Sequence, residues 1–370
     1  MKPENSPANP ESMETGKELS GKAAHKIRSG WAKFWLATFS VVLVFGLLEG
    51  AARIYVAKVY GKSTFGMMWR FSYEPFTLMR TNDKFYREIP PKGDNFRILL
   101  LGGSTADLMP DAMISATFSK ALNRKVDVVN LGQGGFVLNQ ELVAFALHGI
   151  KTKPDLVLTI DGANDLMNTA KTGKPGLPYS NDFIAMAVEK PITNAVFGIL
   201  RHSQFVNCLN KLRERQFEKK VHADQTLINQ TVDLVGEAHL SISSMAHGCN
   251  APHVMVLQPY LHLRKTIVPE EKSIIAPFLY RGEYTGKGML RILGRLESQR
   301  AQHVGESYLI DGLKAFDTTT GLVFKDEAHF TEPAKQIFCD YIVSELTKQG
   351  FFQKHALPSK DPNSAGAAPN

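Results

Sequence analysis

Residues 96–105 read FRILLLGGST: five apolar positions around one arginine, closed by two glycines and two hydroxyl residues. A short, nearly continuous apolar run that ends in glycine suits a parallel strand buried on both faces, with its exit turn. The form returns in VDVVNLGQGG (126–135), DLVLTIDG (155–162) and HVMVLQP (253–259), and more weakly in AFDTTT (315–320). Helical patterns lie between and beyond these runs, at 111–122, 138–150, 223–246, 287–303 and 332–348; Pro333 falls in the first turn of the last. Strands alternating with helices imply βαβ units with right-handed crossovers. The expected fold class is therefore α/β, a three-layer αβα sandwich around a five-stranded parallel sheet of flavodoxin-like character, spanning 96–352.

Upstream of that domain the chain changes character. Residues 1–30 are polar and read as a disordered tail. Residues 31–56 (WAKFWLATFSVVLVFGLLEGAARIYV) follow, with nineteen positions between Lys33 and Arg53 that carry one charge, Glu49. As a helix those positions reach about 29 Å, roughly the hydrocarbon thickness of a bilayer. Trp31, Trp35 and Tyr55 sit near its ends, where amphipathic rings prefer the interface. The run reads as one transmembrane helix. A buried helix of a soluble domain fits less well because the run is apolar all round, and a cleaved leader fits less well because the preceding tail is long. Lys17, Lys22, Lys26, Arg28 and Lys33 precede the span, against Arg53, Lys58 and Lys62 after it. That bias places the N-terminus in the cytoplasm and the catalytic bulk outside it, in the periplasm. Residues 57–95 read as a linker and 353–370 as a disordered C-terminal tail. Two irregular stretches, 168–222 and 260–286, interrupt the strand–helix alternation and are the candidates for substrate specificity.

Composition narrows the function classes. The chain has 370 residues, 43 Lys+Arg against 36 Asp+Glu and a net charge of +7, yet no block of five or six like charges, so no nucleic-acid partner is expected. Cys208, Cys249 and Cys339 are too few and too widely spaced for a disulfide scaffold or a zinc knuckle. No metal cluster is evident. The glycines after the first strand are not followed by lysine, which excludes a P-loop, and the second loop lacks GxGxxG spacing.

In open parallel sheets ligands bind outside the carboxyl ends of the strands. Those ends carry Gly102-Gly103-Ser104-Thr105, Asn130-Leu131-Gly132-Gln133-Gly134-Gly135 and Asp161-Gly162-Ala163-Asn164-Asp165, with Asp326-Glu327-Ala328-His329 late in the chain. Singly, each has a plain structural reading as turn or helix cap. Together they supply what acyl transfer needs: a nucleophile, a base oriented by a carboxylate, and donors for an oxyanion. Ser104 would attack, His329 would act as base and Asp326 would hold its imidazole. The Ser104 N–H, the Gly135 N–H and the Asn164 amide would line the oxyanion hole. His148, His202 and His247 compete for the base role, but none has a carboxylate at short spacing in a strand-end loop.

These four blocks resemble the SGNH (GDSL-like) hydrolases, whose hallmarks are Ser, Gly, Asn and His in separated segments. GGST matches the first block at Ser104, NLGQGG the second at Gly135, GAND the third at Asn164 and DEAHFT the last at Asp326 and His329. The match departs from the family in two places: GGST replaces the literal GDS, a variant familiar in membrane-anchored bacterial members, and Ala163 stands where a second glycine is common. Position 106 is alanine, so there is no GxSxG elbow of the α/β-hydrolase type. The resemblance implies an esterase that uses no cofactor and cleaves acyl esters, O-acetyl or other short acyl, through an acyl-serine intermediate. Its substrate would be an acylated small molecule or a glycan of the envelope. An O-acyltransferase with the same triad and a non-catalytic binding or assembly protein are the alternatives.

Overall fold

The computed structural model describes residues 11–60, 72–178, 203–210, 224–275 and 279–356, with single positions between 181 and 212. The chain divides into two compact units, 1–68 with 195–211, and 69–194 with 212–370.

The larger unit is the α/β domain. Its elements follow in chain order as β1 (Phe96–Gly102), α2 (Ser104–Asp107), α3 (Asp111–Leu122), β2 (Val126–Asn130), α4 (Leu138–Ala144), β3 (Leu156–Asp161), α5 (Ala163–Thr172), α6 (Gln225–Gly248), β4 (His253–Leu257), α7 (Pro269–Ile275), α8 (Leu279–Ser298), β5 (Ser307–Asp311), α9 (Glu332–Lys348) and α10 (Phe351–His355), with α1 (Glu11–Tyr60) belonging to the smaller unit. The sheet is five-stranded in the order β2-β1-β3-β4-β5, and every pair is parallel. That is the flavodoxin-like order, whose direction of winding reverses between β1 and β3 and opens a crevice at their carboxyl ends.

Alternate side chains of each strand enter opposite layers. Ile98, Leu100, Leu158, Val254 and Val256 pack with α3, α9 and α10 through Phe118, Phe338 and Phe352. Leu99, Leu101, Val157, Met255 and Leu257 pack on the other face with α4, α5, α6 and α8 through Phe145, Leu166, Ile242 and Ile292. β1 and β3 are buried at every position, which is why their runs read as continuously apolar.

Two expectations change. The fifth strand is SYLID at 307–311, not 315–320. As the edge strand it alternates between buried and half-buried positions, so it shows no apolar run. Ala315 and Phe316 are buried in the core under the loop that carries His329 instead. Nor is all of 57–95 a linker, because residues 72–86 form a strap fastened to the domain, as described below. Most of the 168–222 stretch lies outside the described residues.

In the smaller unit, α1 begins at Glu11, inside the stretch expected to be a disordered tail. No proline interrupts residues 11–60, and Ala, Lys, Glu and Leu, all good helix formers, recur before the apolar span. Its Trp31–Lys58 portion has mean hydropathy 1.8 and is long and apolar enough to cross a membrane. Glu49, the lone charge between Lys33 and Arg53, accepts the Ser203 hydroxyl (2.7 Å) and the Gln204 and Phe205 N–H groups (both 3.0 Å). Its carboxylate thereby caps the helical residues 204–210, and Phe45 meets Phe205 edge-to-face with centroids 6.0 Å apart.

Candidate active site

At the carboxyl end of β1 the chain turns through Gly103 and starts α2 at Ser104, a buried residue at 8% exposure. Opening a helix leaves the Ser104 N–H among the orphan donors of its first turn. From the far end of the sheet, 225 residues on, His329 reaches it: the imidazole Nε2 lies 2.6 Å from Ser104 Oγ. The other ring nitrogen, Nδ1, lies 2.6 Å from Asp326 Oδ2. The structure thus joins hydroxyl, imidazole and carboxylate in one chain of short hydrogen bonds.

A three-residue spacing suffices because the loop is tightly folded. Asp326 Oδ1 accepts the Ala328 and His329 N–H groups at 3.0 and 2.9 Å. An antiparallel bridge joins Phe324 to Phe330, closed by Lys325 N–H to His329 O at 2.8 Å. The two phenylalanine rings pack edge-to-face with each other and with Phe316, and Phe330 also meets Phe338 of α9. Burial opposes the charge on Asp326, but the hydrogen bond and positive charge of His329 and the two N–H donors outweigh it and hold the carboxyl below its ordinary range.

A buried ion pair sets the height of this loop. Glu271 of α7 is fully buried; one oxygen accepts the Val323 and Phe324 N–H groups at 3.0 and 3.1 Å. The other takes the Arg264 guanidinium, which also donates to the carbonyls of Thr319 and Gly321. The 260–275 part of the stretch expected to shape specificity therefore holds the histidine loop in place.

Asn164 and the loop after β2 approach the backbone beside Ser104. Gly135 has φ +80°, a left-handed conformation that favours glycine. The Asn164 amide donates to Phe136 O at 2.9 Å, which ties the loop after β3 to the loop after β2. A Cβ on Gly103 would lie 2.1 Å from Asn164 Nδ2, so the amide rests directly on the backbone beside Ser104. Asp165 serves its own helix and a second one: its carboxylate takes its own backbone N–H in the first turn of α5. The same carboxylate accepts the Leu138 N–H at the start of α4 (3.1 Å), and burial, followed by the charge of Asp161, pushes it up to about 7. Of the competing histidines, His148 stacks on Phe85 at 4.9 Å and His247 lies against Gly305; His202 is outside the described residues.

The strap at 72–86 supplies contacts that sequence reasoning missed. Gln133 Oε1 accepts the N–H groups of Thr81 and Asn82, its amide returns a bond to Asn82 Oδ1, and the Thr81 hydroxyl takes the Gly134 N–H at 2.8 Å. Asn82 and Lys84 both reach Asp107 at the end of α2, at 2.9 and 2.6 Å. Met79 packs against the Gly135 backbone. The strap therefore braces both the serine turn and the glycine loop. Among the described residues no cluster of His, Cys, Asp or Glu is arranged to hold a metal.

No family model matches the chain, and no curated protein does. Solved structures similar to it include an acetyl xylan esterase, AlAXEase, at 11% identity and TM-score 0.42, covering 67% of this chain and 98% of that one. A lipase/acylhydrolase from Enterococcus faecalis aligns at 15% identity and TM-score 0.41, covering 68% and 96%. An acetylxylan esterase from Geobacillus stearothermophilus aligns at 13% identity and TM-score 0.37, covering 69% and 95%.

Proposed function

We propose that the protein is a serine esterase that cleaves short acyl esters through an acyl-serine intermediate. The observation that carries the reading is the His329 ring, 2.6 Å from Ser104 Oγ on one side and 2.6 Å from Asp326 on the other. Ser104 Oγ attacks the ester carbonyl while His329 Nε2 takes its proton, and Asp326, ionised, stabilises the imidazolium. The oxyanion is met by the N–H groups of Ser104 and Gly135 and by the Asn164 amide. Collapse expels the alcohol, which leaves with the proton from His329. Water then attacks the acyl-serine by the same route and releases the carboxylic acid. The substrate is an acylated carbohydrate of the envelope; an N-terminal helix long and apolar enough to cross a membrane, with an excess of Lys and Arg before it, supports that reading.

The test is fluorophosphonate labelling of the full-length, detergent-solubilised protein, followed by intact mass. One adduct is expected, absent in Ser104→Ala and slowed by orders of magnitude in His329→Ala. No adduct on folded protein, or one that persists in Ser104→Ala, overturns the reading. A reporter fused after Asn370 and active only outside the cytoplasm checks the orientation; a silent reporter on stably expressed protein reverses it.

A further inference from the structure

Beneath the two oxyanion loops lies a buried group of acids that the mechanism above does not use. Glu141 of α4, Asp161 at the end of β3 and Asp165 of α5 are 1%, 4% and 4% exposed. Asp161 precedes Asn164 by three residues, and Glu141 follows Gly135 by six. The Glu141 carboxyl faces Asp161, with Asp165 as its second neighbour. Among the described residues, no N–H or hydroxyl group donates to either Glu141 oxygen or to Asp161 Oδ2, the Glu141 and Asp161 carboxyls lie within hydrogen-bond reach of each other, and Asp161 Oδ1 lies 3.1 Å from His239 Nε2. His239 in turn neighbours His253 of β4 at 5.7 Å between ring centroids.

Two carboxylates facing each other in the interior cannot both be ionised cheaply, so a single proton is shared between them. The basic group beside these acids is His239, 3.1 Å from Asp161 Oδ1, and it offsets one carboxylate at most. The facing titratable groups beyond the acids are His239, His253 and His303, and burial, followed by the positive charge of His239, holds both His253 and His303 below the ordinary imidazole range. Burial, followed by the charges of Asp161 and Asp165, likewise drives the Glu141 carboxyl well above its usual range.

We propose that Glu141 carries this proton and donates it to Asp161, and that the resulting clasp is a positioning device that holds the Gly162–Asn164 turn against the Gly135 loop. The inference rests on the esterase reading for its kinetic part only. Glu141 touches no substrate; it acts through Asn164. When the proton leaves, the two carboxylates repel, α4 and the end of β3 separate, and the oxyanion donors lose register. The consequence is a reversible loss of kcat as pH rises through the Glu141 titration, with little change in KM.

The experiment uses the full-length protein in detergent, with Glu141→Gln and Glu141→Leu. Glutamine keeps a donor toward Asp161 and cannot ionise; leucine keeps bulk and removes the donor. Thermal midpoints from pH 4.5 upward read the clasp without reference to catalysis: the wild type loses stability as pH rises from the ordinary Glu value of 4.5 toward the raised one, and Glu141→Gln loses less, keeping only the part that Asp165 contributes. Hydrolysis of a nitrophenyl acetate then reads the positioning. Glu141→Gln restores kcat at neutral pH and abolishes the loss of kcat with rising pH. Glu141→Leu lowers kcat by about 100-fold, the scale of one misplaced oxyanion donor, with KM nearly unchanged. Parallel pH–stability curves for wild type and Glu141→Gln overturn the proposal whether or not the protein proves to be an esterase. A loss of kcat with rising pH that persists in an active Glu141→Gln overturns the positioning role. Inactivity of the wild type toward every ester and fluorophosphonate, with the stability difference intact, removes the esterase reading and leaves the shared proton standing. If Glu141→Leu fails to fold, the Glu141→Gln profiles decide alone.

Discussion

Replacing Glu271 with alanine separates the framework of the histidine loop from its chemistry. The side chain lies fully inside the domain, about the Arg264 guanidinium, and neither group touches the Ser104–His329–Asp326 chain. Deletion leaves the Arg264 charge buried at 5% exposure without its partner, and it orphans the Val323 and Phe324 N–H groups. Breaking a buried pair from one side costs about 3–5 kcal/mol, because an uncompensated charge stays in the interior. At about 2–4 °C per kcal/mol for a domain of this size, the thermal midpoint falls by roughly 6–20 °C. Below that midpoint, the fluorophosphonate labelling rate at Ser104 falls as well, because the strand leading to Asp326 has lost its register. A midpoint within about 3 °C of wild type, or roughly 1 kcal/mol on the same scale, with unchanged labelling, refutes the reasoning. The aromatic packing of Phe316, Phe324, Phe330 and Phe338 would then be what holds the loop.

The double replacement Arg264→Met/Glu271→Leu sharpens the test. Well-packed apolar substitutes for a buried ion pair are often neutral in stability. The midpoint is therefore expected to return toward wild type, while labelling stays slow because Val323 and Phe324 still lack their acceptor.

Two further outcomes follow from the geometry. Gly103→Ala places a methyl 2.1 Å from Asn164 Nδ2, so it is expected to displace the amide and to lower kcat by about 100- to 1,000-fold, as loss of one oxyanion donor does, with the far-UV circular dichroism spectrum unchanged; a kcat within threefold of wild type would show that Asn164 is not a donor. Asp165 holds its proton up to about pH 7 in the fold, against 3.8 as its ordinary value, so between those limits the folded state binds more protons than the unfolded state and stability falls as pH rises, by about 4 kcal/mol in all. Asp165→Asn keeps an acceptor for the Leu138 N–H and is expected to flatten that part of the curve in denaturant titrations from pH 4 to 7; a slope equal to wild type would place the proton elsewhere.

How legible these features are in the sequence depends on what creates them. β1, β3 and β4 announce themselves because both of their faces are buried, and burial on both faces leaves no room for polar alternation. β5 does not, because an edge strand with half-buried positions carries Ser307 and Asp311 among its apolar residues. Ser104, Gly135, Asn164, Asp326 and His329 are named from the chain because each stands at a strand end or in a loop with glycine or a short Asp–His spacing, and parallel strands deliver such ends to one edge. The residues that hold them have no comparable mark. Thr81 and Gln133 are 52 positions apart, and the Gln133 side chain that joins them reads in sequence as an ordinary polar loop residue. Glu271 and Arg264, read as sequence, are one acid and one base in a mixed stretch, indistinguishable from a solvated pair.

The same reasoning explains why the pairing of Glu141 with Asp161 escapes notice: a carboxylate in a helix and another closing an apolar strand are ordinary in isolation, and only their burial side by side turns them into a shared proton. Chemistry-bearing residues are legible where topology makes their position meaningful. Positioning residues become legible only when burial shows that a charge has no water to face. The acids to mutate first in this domain are therefore the buried ones, Glu141, Asp165 and Glu271, since each must be balanced by a neighbour whose displacement moves a loop of the proposed site.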